Sequence, residues 1–201
     1  MTRATATIKS PSRSLGAARQ KKEGLASARL AGLRTSEISL RKNETGYVVM
    51  YVHDKGVDDF VQQVHGATPI QLVEAERYGV DGRFLKDLSK RIDIPAVRIF
   101  TMLGVRKATV EKKALQGAIV SGSGGQAAIA IAKLLGTAKS IVENSTSPAA
   151  KDFDSAKWLG KWLERPQPAL GGRKPADLID TPTGVEVVTR LLGAIESGAY
   201  Q

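Results

Sequence analysis

From Ala67 onward the chain carries the punctuation of successive helices, and that rhythm limits what it can fold into. Thr68-Pro69 pairs an N-cap hydroxyl with a proline at the first helical position, where the missing amide costs nothing. That helix runs to about Tyr78 and stops at Gly79. Asp81 caps the next, with Phe84, Leu85, Leu88 and Ile92 spaced for one apolar face. Pro95 opens a short third helix carrying Ile99, Met102 and Leu103, closed by Gly104, and Thr109 opens a fourth that reaches about Val120. After Ser121-Gly122-Ser123-Gly124-Gly125 comes a long helix over 126–143. A helix over 154–164 bears Trp158, Leu159, Trp162 and Leu163. A one-turn helix follows at 175–179. Thr181-Pro182 then starts a last helix, with Val185, Val188, Leu191, Leu192 and Ile195 on one face and Gly198 at its end. The fold class is therefore mainly α: a helix-turn-helix bundle followed by a small helical C-terminal domain. The exception is the β-branched and aromatic run at 47–52, which reads as one short strand, with a short helix at 57–64 after it.

Composition removes whole classes of chemistry. The 201 residues contain no cysteine, so disulfides, thiolate metal sites and a cysteine nucleophile are excluded, and a reducing cytoplasm is the expected location. Two histidines, His53 and His65, have no nucleophile or second ligand at local spacing. Asp58 and Asp59 diverge by about 100° on a helix instead of sharing a cation. No metal, cofactor or enzymatic activity is expected, since no nucleophile, base and orienter can be assembled. No apolar run is long enough to span a bilayer, and the basic N-terminus lacks the apolar core of a secretory signal.

The net charge of +10 is unevenly spread: +7 over residues 1–45, +3 over 46–146 and zero over 147–201. Four segments follow from charge and punctuation. Residues 1–45 form a basic, flexible extension, either an arm for phosphate backbones or a solubilising tail. Residues 46–66 hold the short strand and helix. Residues 67–146 form a helix-turn-helix domain for DNA binding and dimerisation. Residues 147–201, after a hinge rich in Asn, Ser, Thr and Pro, suit protein contact.

The helix-turn-helix rests on arithmetic: a scaffold helix at 82–91, a tight turn at Asp93-Ile94, and a second helix from Pro95 to before Gly104. Many such turns need positive φ, which Asp tolerates better than most residues. The second helix would offer Ala96, Val97, Arg98 and Thr101 to base edges, with Arg98 bidentate to guanine and Val97 or Ala96 against a thymine methyl. Arg106 and Lys107 would sit near phosphates. A plain bundle with solvated charges has the same spacings. The helix at 126–143 is apolar on more than one stripe, through Ala127, Ala128, Ile129, Ala130, Ile131, Leu134 and Leu135, so it is expected to lie between two subunits. The glycine loop at 121–125 lacks the Lys-Ser/Thr pair of a Walker loop and follows a helix, so it reads as an interhelix turn.

The C-terminal residues carry a longer pattern: Trp158-Leu159, then Pro166 to Leu170-Gly171-Gly172, then Pro175-Ala176-Asp177-Leu178-Ile179, then Thr181, Gly184, Val188, Leu191 and Gly198. This order resembles the toxin-binding domain of the Xre/MbcA/ParS antitoxins over residues 150–201. The helices at 67–143 are similar, more loosely, to the helix-turn-helix half of those antitoxins; residues 1–66 depart from the pattern. The resemblance implies a RES-domain toxin that degrades NAD by hydrolysis or phosphorolysis as partner. It also implies operator DNA bound as a homodimer within a higher toxin–antitoxin complex. Carried over by position, Leu170, Gly171, Gly172, Arg173 and Lys174 form the toxin-binding loop, and Ser197, Gly198, Ala199, Tyr200 and Gln201 the tail that reaches the NAD pocket. The other reading is a helix-turn-helix transcriptional regulator without a toxin partner.

Overall fold

The computed structural model describes residues 49–146 and 148–196, which belong to one compact unit. The basic extension at 1–45 and the tail Ser197, Gly198, Ala199, Tyr200 and Gln201 lie outside the described residues. The elements are α1 (Gly56–His65), α2 (Pro69–Tyr78), β1 (Val80–Asp81), α3 (Gly82–Arg91), α4 (Ala96–Met102), α5 (Lys107–Gln116), β2 (Ile119–Val120), α6 (Gly122–Glu143), α7 (Ser155–Leu163) and α8 (Pro182–Glu196). Short 3-10 turns sit at His53–Lys55, Pro148–Ala150, Pro168–Leu170 and Pro175–Asp177. The protein is mainly α.

The local signals act as the sequence indicated. Thr68 makes a full capping box with Gln71, Asp81 accepts from the Arg83 amide, and Asp154 accepts from the Ala156 and Lys157 amides. The Thr181 hydroxyl accepts from the Gly184 amide, so α8 begins where Thr-Pro placed it. One cap moves. Arg106, not Thr109, is the N-cap of α5, and the helix ends at Gln116 with Gly117 left-handed, before Val120.

The strand expected at 47–52 is absent from residues 49–52. Those residues join no ladder, and Val49 and Tyr51 are held by side-chain burial instead. Tyr51 is 2 % exposed and packs in an aromatic trio with Phe60 and Phe84, ring centroids 5.0–5.8 Å apart. Its hydroxyl donates to Asp87 Oδ2 at 2.7 Å, and burial together with that bond pushes the phenol far above its usual range. The only sheet among the described residues pairs β1 with β2 antiparallel, Val80 opposite Val120. It joins the start of α3 to the start of α6.

Helix α6 is the axis of the molecule. Helices α1, α2, α7 and α8 all pack on it, while α3 rests on α1, α4 and α5. This overturns the reason for expecting α6 between two subunits. Ala127, Ala128, Ile129, Ala130, Ile131, Leu134 and Leu135 are all buried by their own chain, so the apolar surplus needs no second copy to cover it. The glycine run expected as an interhelix turn at 121–125 instead opens α6 from Gly122, and close approach explains two of its glycines. A Cβ on Gly124 would lie 2.1 Å from Val105 Cγ1, and one on Gly125 2.5 Å from the Val120 carbonyl.

Candidate functional site

The helix pair α3–α4 is built around Ile92 and Ile94, both buried. Asp93, between them, takes φ +58°, the left-handed turn expected of it. The Ser89 hydroxyl donates to the Ile94 carbonyl at 2.7 Å, and the Ile94 amide to the Ser89 carbonyl at 3.1 Å, so the turn is fixed from both sides. Ile99, Phe100 and Met102 turn inward. Of the residues expected on the outer face, Val97 is 54 % exposed and Thr101 is exposed, its hydroxyl donating back to the Val97 carbonyl at 3.1 Å. Ala96 is half-buried against the core. Arg106 and Lys107 are exposed at the start of α5.

Arg98 is not on that face. Its Nε donates to Glu164 Oε1 and its Nη2 to Asp177 Oδ1, both at 2.6 Å. Both bonds raise its basicity further, so the guanidinium stays charged. A guanidinium held by two carboxylates is in the fork geometry that would otherwise serve a guanine. Where the sequence expectation has Arg98 reading bases, in this structure Arg98 ties the second helix of the pair to the C-terminal segment.

A second arginine makes a parallel tie. Arg91, at the end of α3, donates to Asp58 of α1 at 2.9 Å and to Asp154 at 2.8 Å. Burial opposes ionisation of Asp154. The Arg91 bond and the amides of Ala156 and Lys157 outweigh it and hold the carboxyl below its usual range. Beside both ties, α7 meets the end of α3 almost backbone to backbone: a Cβ on Gly160 would lie 2.0 Å from the Ile92 carbonyl.

The motif loop hangs from the far end of α7. Gln167 and Arg173 form an antiparallel bridge, with the Gln167 amide donating to the Arg173 carbonyl and the Gly172 amide to the Gln167 carbonyl, each at 3.0 Å. The chain reverses between them through Gly171 at φ +63° and Gly172 at φ +78°, a pair of left-handed residues that glycine supplies without strain. Gln167 is buried and its side chain donates to the Arg165 carbonyl at 3.1 Å, so the base of the loop is pinned. Its tip is not: Gly171, Gly172 and Arg173 are exposed and Leu170 is half-buried. Lys174 Nζ donates to Glu164 Oε2 at 3.1 Å. Glu164 thus accepts from the motif loop with one oxygen and from the helix pair with the other. This shared carboxylate, together with Asp177, Asp154 and Arg91, is what the sequence reading missed.

The aromatic residues of α7 support the same platform. Trp158 and Trp162 stack with centroids 6.2 Å apart, and Leu159 and Leu163 are fully buried. Elsewhere, His53 Nδ1 lies 2.8 Å from Asp87 Oδ2. Among the described residues, no three side chains of histidine, aspartate or glutamate are grouped to hold a metal, and no helix is long and apolar enough to cross a membrane.

Two comparisons bear on this arrangement. Residues 150–198, the segment that carries α7, the motif loop and α8, match the model of the antitoxin Xre/MbcA/ParS C-terminal toxin-binding domain. A relative from Sphingobium sp. (strain YBL2), named "Prs ADP-ribosylating antitoxin", is 35 % identical over 147 residues, which cover 73 % of this chain and 91 % of the relative. The likeness runs well beyond the matched domain and nearly spans the relative. With the motif loop built and presented on residues 150–198, the chain belongs to the Xre/MbcA/ParS family of antitoxins.

Proposed function

We propose that this antitoxin neutralises a RES-domain toxin by docking its motif loop on the toxin while its last residues cover the active site, and that it represses its own operon as a dimer on promoter DNA. The observation that carries the first part is the match of residues 150–198 to the toxin-binding domain, with Gly171, Gly172 and Arg173 exposed at the tip of a pinned loop. A preformed loop loses little conformational freedom on contact, which favours affinity. The toxin's chemistry consumes NAD. The Sphingobium relative's name joins its system to ADP-ribosylation of Prs, so transfer of ADP-ribose to a protein stands beside hydrolysis and phosphorolysis as the fate of that NAD. The antitoxin itself takes part as a binding protein, with no catalytic step of its own.

The second part rests on the helix pair and on the cations around it. With Arg98 engaged by Glu164 and Asp177, the surface left for DNA is Val97 and Thr101 on α4 and Arg106 and Lys107 at the start of α5. Contacts of that kind favour phosphate positioning over base reading. The test is co-expression of the chain with an adjacent RES-type reading frame, followed by affinity purification and a promoter-DNA shift. Co-purification and a salt-sensitive shift support the proposal. A chain that shifts DNA and retains no toxin supports the regulator reading instead.

A further inference from the structure

Two cavities flank α8, and together they fix its direction. The one at its start is lined by Pro182 and Val185 together with Gln126 and Ala127, from the first half of α6. The one at its end, of about 290 Å³, is lined by Ile195 together with Ile141 and Val142, from the last turns of α6. Helix α8 therefore runs parallel to α6 and delivers the chain at the second cavity.

That cavity is an apolar groove with an aromatic wall. Past the end of α6 its lining continues through Ala150, Phe153 and Trp158. Phe153 is 44 % exposed, and Trp158, Ile141, Val142 and Ile195 are half-buried. The Phe153 and Trp158 rings lie 6.2 Å apart and tilted by 52°, and Trp158 continues as a stack onto Trp162. This ladder of rings ends at an exposed face. Another ring, set edge-on or offset, extends such a ladder favourably. The lining contains no charged side chain. A charged occupant would be desolvated there without a partner, so the groove selects a neutral one that carries a ring.

The chain itself supplies that occupant. Five residues of the sequence follow Glu196, Ser197 to Gln201, outside the described residues; none of their side chains is charged, and Tyr200 is among them. Five extended residues from Ile195 to Tyr200 reach about 17 Å. Ile195 is itself a wall of the groove, so this length leaves slack for the tail to settle along it. The basic extension at 1–45 contains no aromatic residue. Tyr47 stands two residues before buried Val49, and no wall of the groove comes from that stretch or from α1.

We propose that in the free antitoxin the tail at 197–201 docks in this groove, with Tyr200 against Phe153 and Trp158, and that toxin binding releases it. The release rests on the proposed function, in which the same residues cover the toxin's active site; the docking does not. One segment then has two alternative seats, and the toxin's hold on it is reduced by the fraction of chains in which the tail is docked.

The absence of cysteine allows a direct test, because Gln201→Cys takes a single nitroxide label, a short-range quencher of tryptophan emission. Emission of the labelled full-length chain, without toxin, is compared with that after the label is reduced. The expected result is at least about twofold quenching. Tyr200→Phe keeps it, whereas Tyr200→Ala and Phe153→Ala each abolish most of it. Residue 153 is exposed, and a circular dichroism melt verifies the fold of each variant. No quenching in the free chain, or quenching that neither alanine variant reduces, overturns the proposal. Quenching that fades on dilution from about 100 to 1 µM overturns it too and seats the tail on a second copy. Unreduced quenching in Phe153→Ala together with lost retention of the co-expressed toxin overturns it and gives the groove to the toxin. Added toxin should relieve the quenching in wild type. Quenching that persists in a complex with blocked NAD consumption supports the docked tail and overturns the active-site cover on which its release depends.

Discussion

Arg98 and Asp154 carry the account at the residue scale. Arg98 is 29 % exposed and satisfied by two carboxylates, so its removal is a structural event before it is a recognition event. Arg98→Ala leaves Asp177 without this partner and strips one donor from Glu164. With the partial exposure of all three groups, the expected cost is about 1–2 kcal/mol. Thermal melts should show a drop of a few degrees, and DNA affinity should change alike on specific and random duplexes. An unchanged melting temperature with lost base preference would mean that Arg98 leaves its carboxylates to read DNA. Asp154 gives a pH signature. Its carboxyl titrates lower folded than unfolded, so its contribution to stability is complete above the unfolded value, near 3.9. That contribution is lost as pH falls through the lower folded value. Asp154→Asn keeps a capping acceptor but loses the charge facing Arg91. The gap in melting temperature between wild type and variant should therefore be widest near neutrality and close as the pH falls through the lowered folded value. A gap constant across that range would contradict the Arg91 pairing.

Elements were legible where their signals were local. Thr68, Asp81, Asp154 and Thr181 announce helix starts through their own neighbours, and Asp93 announces its turn by tolerating positive φ. Three things were not legible. The run at 47–52 has strand composition, yet Tyr51 finds its partners in Phe60 and Phe84, and a two-residue strand such as β1 leaves no periodic trace. The breadth of the apolar surface on α6 was visible, but periodicity does not tell burial by neighbouring helices from burial by a second chain. The partners of Arg98 are 66 and 79 residues away in sequence, beyond any spacing rule. One glycine fixes how the elements meet. A methyl on Gly160 would strike the Ile92 carbonyl, which is backbone and cannot turn aside. Gly160→Ala should therefore cost about 1–3 kcal/mol, the range for overpacking, and loosen α7 from the end of α3. Hydrogen exchange should show amides of α7 less protected; unchanged protection would mean that the two helices part without consequence.

Over the whole molecule, the two proposed roles share one frame. The motif loop reaches Glu164 through Lys174, and Glu164 reaches the second helix of the pair through Arg98. Helices α7 and α8 pack on α6 beside the helix pair, within one continuous core. Neutralisation is the central claim, and NAD measures it. In an NAD-consumption assay, the purified toxin should deplete NAD, the complex with the full chain should not, and the complex lacking residues 198–201 should hold the toxin while depletion resumes. Depletion that continues unabated in the complex with the full chain would contradict the account.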